Sequence, residues 1–274
     1  IELVGITTEG DRTLDVPLAE KGGKGLFLKE LEQALLDGRI DLAVHSMKDV
    51  TVTEPDGLHI PVICEREDPH DALVSTRFGD LCELPDGAVV GTCSLRRQSL
   101  LRYRFPQLKV ENLRGNVNRR LQRLDDGDFD AIILAAAGLL RLQMAGRIRQ
   151  RIPTGIMLPA VGQGAVGVQC RSDDADTTAL LMPLDHAPTH ARITAERAAN
   201  AYLGGGCHLP IGAFAEIEGE QLYLRGLVGR PDGSNILFAS AKGLVSEAEA
   251  VGHTLADDLL GQGAKALLQE FANA

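Results

Sequence analysis

Gly38-Arg-Ile-Asp41-Leu-Ala-Val44 and Gly127-Asp-Phe-Asp130-Ala-Ile-Ile-Leu134 follow one pattern. Each comes after a run with leucines on one helical face, Leu31 and Leu35 in the first copy, Leu121 and Leu124 in the second. Each then continues as Gly, two residues, Asp and an apolar run. A glycine after a helical run closes the helix, and a short continuous apolar run reads as a buried strand. Helix, glycine, aspartate and strand occurring twice predict two α/β units built alike. Ile40–Val44 reads as a buried parallel strand. Paired units of this kind bind ligands in the cleft between them, beyond the carboxyl ends of their strands.

The residues at those strand ends are polar. The first strand runs into His45-Ser46-Met47-Lys48-Asp49. Lys48 and Asp49 are candidates for cleft chemistry; the alternative is a solvated turn with a capping Asp. His45 reads better as a hydrogen-bonded structural imidazole. In the second unit, Ala88-Val-Val-Gly91 ends in Thr92-Cys93-Ser94, and Ser94 is placed to cap a helix starting at Leu95. Arg96 and Arg97 then fall in the first helical turn, where cations oppose the helix dipole. An anion at that place would explain them. A further strand, Leu108–Leu113, ends in Arg114-Gly-Asn-Val-Asn-Arg-Arg120, and the Ala131 strand leads to a helix carrying Arg141. Ser94 to Arg123 holds nine basic residues and one acid, Glu111, inside a chain of net charge −10. Planar guanidinium groups suit bidentate capture of carboxylates. The block is therefore read as one wall of a site for a polyanion, with a solvated helix face as the alternative.

Residues 7–25 have no periodicity and read as a lid or binding loop, or as a plain surface loop. A helix is expected from about Leu26 to Leu36. Residues 50–64 give a Pro-Asp-Gly turn and a strand, and the chain crosses between units near 65–71. It returns through a Gly-rich turn around Gln163, which either faces the cleft or belongs to the turn. A helix from His190 to Leu203 stops at Gly204-Gly-Gly-Cys207-His. Cys207 on that loop reads as a nucleophilic or modified thiol, or else as a small buried residue. Strands at 211–217, 222–228 and 236–240, with helices near 246–260 and 262–272, predict a small α+β third domain.

Composition narrows the function. A length of 274 residues suits two or three domains. The chain has no Trp, 4% aromatic residues and an acidic balance, which argues against a nucleic-acid or membrane surface. Five cysteines without a CxxC pair argue against a disulfide framework or a zinc site and fit a reducing, cytoplasmic setting. No apolar run approaches membrane-span length. No long apolar stripe marks an obligate dimer, so a monomer is expected. Ile1 lies within an expected strand, so further sequence is expected upstream. A competing reading is a two-lobed binding protein for a polycarboxylate ligand, which would need neither Asp49 nor an exposed cysteine. A nucleic-acid binder is a poorer third.

Six stretches together carry a resemblance. They are Lys21-Gly-Gly-Lys-Gly-Leu-Phe27, Ala43-Val-His-Ser-Met-Lys-Asp49, Gly91-Thr-Cys-Ser-Leu-Arg-Arg97, Leu113-Arg-Gly-Asn-Val117, Leu158-Pro-Ala-Val-Gly-Gln-Gly-Ala165 and Gly205-Gly-Cys-His-Leu-Pro-Ile-Gly212. In this order the sequence resembles the porphobilinogen deaminase (hydroxymethylbilane synthase) family. The resemblance implies two periplasmic-binding-protein-like α/β domains joined by two crossings, plus a small α+β C-terminal domain. The implied boundaries are 1–66 with 164–184, then 67–163, then 185–274. It also implies a transferase that joins four porphobilinogen molecules head to tail, releases ammonia and yields hydroxymethylbilane. Synthesis is primed on a dipyrromethane cofactor held by a thioether, here to Cys207. By the same matching Asp49 is the catalytic carboxylate. Lys48, Thr92, Ser94, Arg96 and Arg97 lie on the cofactor side. Arg114, Arg120 and Arg141 take substrate carboxylates, with Ser46 and Gln163 beside them. Each pyrrole brings two carboxylates, so the growing chain is the polyanion the arginine block calls for. A buried carboxylate near the pyrrole N–H groups would stabilise the cation left by departing ammonia. Family members begin with a strand carrying an Arg-x-Ser stretch, and no match to it precedes Ile1; residues 7–25 match the family's cleft-covering loop.

Overall fold

The computed structural model describes residues 1–8, 28–206 and 209–272. The first unit opens with helix α1 (Lys29–Leu36), strand β1 (Leu42–Ser46) and strand β2 (Leu58–Ile63). The second holds β3 (Asp71–Val74), β4 (Val89–Gly91), α2 (Leu95–Arg104), β5 (Lys109–Glu111), α3 (Val117–Asp125), β6 (Ala131–Ala135), α4 (Ala136–Arg141) and β7 (Gln150–Ile152). The chain returns to the first unit as β8 (Val166–Arg171) and α5 (Ala175–Leu181). The third unit consists of α6 (Ala187–Tyr202), β9 (Ile211–Glu218), β10 (Gln221–Gly229), β11 (Ile236–Leu244), α7 (Ala248–Gly261) and α8 (Ala264–Ala272).

The two copies of the repeat become α1–β1 and α3–β6. In both, the glycine after the helix has the left-handed conformation, φ 68° at Gly38 and 86° at Gly127. That conformation ends a helix and turns the chain toward the next strand. The copies differ in what their strands meet. β6 lies parallel to β4, within the order β5-β4-β6-β3-β7. β1 instead lies antiparallel to β8, in the order β1-β8-β2. The parallel strand expected at 40–44 is thus a five-residue strand at 42–46, with alternating burial and Val44 61% exposed. Its apolar run is short, and only alternate side chains reach the packed face, where Ala43 meets Leu35 and Leu58.

β6 is apolar throughout because it is covered on both sides. Ile133 joins Leu73, Val90, Leu100 and Leu101 on one face. Ile132 and Leu134 join Val74, Leu121 and Leu124 on the other. Burying each such side chain contributes about 1.5–3 kcal/mol. Phe214 and Leu227 of the third unit enter the first of these clusters, so the second and third units share a core. The third sheet is the antiparallel meander β11-β10-β9. α6 and α7 cover its inner face, with Ala195, Ala199, Val251, Leu255 and Leu259 packed on Leu222, Leu224 and Val228.

Two segments connect the first and second units, one before β3 and one between β7 and β8. They touch: Glu67 N donates to the Gly164 carbonyl at 3.1 Å. Gly164 has φ +91°, and a Cβ there would collide with the Glu67 carbonyl oxygen. Only glycine lets the two strands of the connection lie this close.

Candidate active site

β4, β5 and β6 run parallel, so their carboxyl ends share one edge of the second sheet. The segments leaving that edge carry Thr92–Arg97, Arg114–Arg120 and Arg141. From the first unit, β1 ends at Ser46 and leads into a 3-10 turn, Met47–Asp49. Met47 N donates to the Ala165 carbonyl at 3.0 Å, which fixes the turn to the second connection.

The charged groups on these segments act on each other across the gap. Lys48 is half-buried, and that burial lowers its pKa. Asp49 opposes the shift, while Arg97 and Arg120 reinforce it. Burial likewise lowers the pKa of Arg120; Cys93 and Asp49 act against this and Arg97 and Arg114 act with it. Lys48, Asp49, Arg97, Arg114 and Arg120 therefore form one electrostatic cluster, although they come from three separate stretches. Arg120 is aimed by Nε, which donates to the Gly115 carbonyl at 2.6 Å, and its Nη2 lies 3.8 Å from Cys93 Sγ. Ser94 caps α2 as expected, accepting from Arg97 N at 3.5 Å, and Thr92 Oγ1 accepts from Ser94 N at 3.3 Å. Arg141 is exposed and reaches back to the second connection, donating to the Gly164 carbonyl at 2.8 Å.

Three candidates converge on a residue that the sequence reading did not single out. Asp71, the first residue of β3, is fully buried. Its Oδ2 accepts from Arg96 Nη1 at 2.7 Å. Its Oδ1 accepts from Arg97 Nε at 3.0 Å and Nη2 at 2.7 Å, and from Gln163 Nε2 at 3.0 Å. Burial alone would raise the Asp71 carboxyl; the guanidinium groups of Arg96 and Arg97 outweigh it and hold it at about 2. The anion that justifies two arginines in the first turn of α2 is thus, in part, the chain's own. Arg96 and Arg97 are only 2% and 6% exposed. Arg96 Nη1 also reaches the Leu158 carbonyl at 2.5 Å, and Arg97 Nη1 the Ile133 carbonyl at 2.8 Å. Arg96 Nε is buried with no hydrogen-bond partner among the described residues. Gln163 is buried as well, its amide shared between Asp71 and the Pro69 carbonyl at 2.6 Å, so of its two readings the turn describes it better.

The arginine block as a whole divides. Arg102 is structural, donating to the Pro231 carbonyl at 2.6 Å and the Val110 carbonyl at 2.9 Å. Arg104 holds the Gly155 carbonyl at 2.7 Å, and Arg123 pairs with Asp128 at 2.8 Å on the surface. Only part of the block therefore lines the gap. Asp49 also departs from expectation: it is exposed rather than buried. It closes a short turn beyond an edge strand, and the charges of Lys48 and Arg120 feel it. His45 is buried and pairs with Gln169 at 3.0 Å, as a structural imidazole should. Cys207 and most of the 7–25 loop lie outside the described residues.

A second buried ion pair was also not singled out. Arg66, on the first connection, binds Glu196 of α6 through Nη1 and Nη2, at 2.6 and 3.2 Å. Glu196 also accepts from Gly162 N at 2.8 Å and Ala215 N at 2.9 Å, and Arg66 Nε donates to the Gln163 carbonyl at 2.9 Å. One carboxylate thus ties both connections to the third unit.

An edge of cations facing Asp49, on paired α/β units with a small third sheet, defines a class: proteins suited to a ligand with several acidic groups. Comparison of the sequence with known families specifies it. Residues 1–179 match the family model "Porphobilinogen deaminase, dipyromethane cofactor binding domain", and residues 190–261 match "Porphobilinogen deaminase, C-terminal domain". The chain belongs to the porphobilinogen deaminase family. It is a transferase, a hydroxymethylbilane synthase of tetrapyrrole biosynthesis, with dipyrromethane as cofactor. Among solved structures, a putative methionine-binding lipoprotein of Bacillus subtilis is 12% identical, over 57% of this chain and 74% of its own, with a TM-score of 0.40. A nutrient-binding protein of Burkholderia cenocepacia bound to methionine is 16% identical, over 55% of this chain and 73% of its own, with a TM-score of 0.38.

Proposed function

We propose that the cluster between the first and second units is the catalytic site, with Asp49 as its catalytic carboxylate and Cys207 as the cofactor's point of attachment. The observation that carries this is the convergence of the Met47–Asp49 turn of the first unit with the strand-end segments of the second that hold Arg97 and Arg120, near enough for Lys48 to feel both charges. The donor set suits the cofactor. Desolvated, mutually repelling cations call for an anion, and a dipyrromethane with four carboxylates provides it. Lys48, Arg97 and the loop Thr92–Ser94 would hold the cofactor's acidic side chains. Arg114, Arg120 and Arg141 would take those of porphobilinogen, with Ser46 at the mouth. Arg96 and Gln163 act from behind, through Asp71. When bound, the cofactor supplies the pyrrole carbon to which the first substrate is joined.

In each condensation the C–N bond of the substrate's aminomethyl group breaks and the amine leaves as ammonia. A C–C bond forms, and the attacked pyrrole carbon gives up its proton. Asp49 is the group beside this exchange. As carboxylate it accepts the pyrrole N–H and offsets the positive charge that develops as the amine departs. It also relays a proton between the pyrrole carbon and the leaving amine. The arginines orient the ring through its carboxylates, which turns the encounter into a near-attack arrangement. The boundaries 1–66 with 164–184, 67–163 and 185–274, a cytoplasmic location and a monomeric state complete the proposal. Free thiols at Cys64, Cys82, Cys93 and Cys170 support the cytoplasmic setting. No helix among the described residues is long and apolar enough to cross a membrane.

The test is peptide mapping with kinetics on wild type and Asp49→Asn. The peptide containing Cys207 should carry the mass of two linked pyrroles in both. Turnover of Asp49→Asn should fall about 10²–10⁴-fold. Near-normal turnover would remove Asp49 from the chemistry, and an unmodified Cys207 in active enzyme would remove the tether.

A further inference from the structure

The turn that carries Asp49 belongs to the first unit, yet it is gripped by a helix of the third. Ile193 and Arg197 are four residues apart on α6 and so lie on one helical face. Ile193 packs in a cluster with Met47, Ile63 and Ala165, and Val50 lies against that cluster. Arg197 Nη2 donates to the Thr51 carbonyl at 2.9 Å. Met47 and Thr51 flank Lys48 and Asp49, so a single face of α6 holds the turn from both sides. The Arg197 side chain is largely buried, and burial lowers its pKa, with Glu54 acting against the shift. An ion pair with Glu54 alone, here 3.7 Å away, could form at the surface without that burial. What burial adds is the bond to a neutral carbonyl two residues after Asp49. The same helix ends at Tyr202, and the glycines that follow lead directly to Cys207.

We propose that Arg197 is a positioning residue that sets Asp49 within the site by tying Thr51, and with it the turn that bears the acid, to α6. The inference rests on the reading of Asp49 and Cys207 given above. In its terms, the turn that bears the acid is referred to a helix of the third unit, so the two units cannot drift apart at that point. A misplacement of about 1 Å costs about 10²-fold in rate, whereas ring binding through Arg114 and Arg120 does not involve this contact.

The experiment compares holoenzyme carrying Arg197→Met, Arg197→Lys or Asp49→Asn with wild type. It reads kcat, KM, cofactor loading by intact mass, melting temperature, and hydrogen–deuterium exchange of the segment 46–54. Arg197→Met should retain loading and leave KM within about twofold, lower kcat about 10- to 100-fold, and speed exchange within 47–54. Arg197→Lys, which can still donate to the Thr51 carbonyl, should recover most of kcat. If Arg197→Met does not fold, Arg197→Gln, which keeps one donor, must show the same split between kcat and KM. Unchanged kcat overturns the proposal. So does a loss of kcat that follows loading and melting temperature and is not recovered by lysine. Full turnover of Asp49→Asn would instead fault the catalytic reading beneath it. Asp49-dependent turnover with an Arg197-independent kcat would fault this inference alone.

Discussion

Replacing Asp71 by Asn isolates a single buried charge. The wild-type carboxyl is held at about 2 against an ordinary value of 3.8. A folded-state pKa below the unfolded one gives stability that is fully present above the unfolded value and is lost as pH falls through the folded value. Here that window runs from about pH 4 down to about pH 2, and its full size is about 2 kcal/mol. By pH 3 about 1 kcal/mol of it should already be gone. Asn keeps an acceptor but removes the charge, leaving Arg96 and Arg97 buried without their counter-ion, at a cost of about 3–5 kcal/mol at pH 7. Urea unfolding of both chains at pH 7, 5, 4 and 3 measures the gap between them. The other carboxylates titrate alike in both chains and cancel in the difference. The gap should be about 3–5 kcal/mol at pH 7 and narrow by about 1 kcal/mol between pH 5 and pH 3. A gap below about 1 kcal/mol at pH 7 would mean that Arg96 and Arg97 are compensated elsewhere. A gap that stays flat or widens with acid would show that the Asp71 carboxyl is not held low by them.

Three further outcomes follow from the same geometry. Arg97→Leu should leave enzyme that is unloaded or stalled partway through elongation, visible as discrete masses in intact mass spectrometry; a normal product distribution would contradict its place at the cofactor. Glu196→Gln strands the Arg66 charge in a buried site and should cost about 3–5 kcal/mol, read as a lower melting temperature, whereas the exposed Asp128→Asn at the Arg123 pair should change stability by less than about 1 kcal/mol. Gly164→Ala forces a side chain into a left-handed backbone against the Glu67 carbonyl and should cost at least about 1–3 kcal/mol, with a melting temperature equal to wild type counting against the close approach of the two connections.

Local signals in the sequence carried much of this architecture. The Gly38 and Gly127 repeat predicted two helix–strand copies, and both glycines take the left-handed conformation that such a junction requires. Ser94 was legible as a cap because capping is decided within four residues. The partner of β1 was not legible, since an apolar run of five residues does not reveal which strand lies beside it or whether one face is bare. Asp71 and Glu196 were illegible for a stronger reason. A lone acid in a polar stretch, or within a helix of alanines, looks like a surface residue, and only tertiary contacts bring it arginines. Counting charge along the chain therefore overstates the free cationic wall. Of the block from Arg96 to Arg123, Arg96, Arg97 and Arg102 hold groups of the chain itself. That changes how anion binding should be pictured. A site made only of unpaired buried cations would repel itself when empty. An internal carboxylate behind Arg96 and Arg97 lowers that repulsion and fixes the guanidinium planes before any ligand arrives. Selectivity for an acidic pyrrole chain is then divided. Arg120, whose charge is felt by Lys48 across the gap, supplies attraction together with its neighbour Arg114, while Asp71 supplies rigidity.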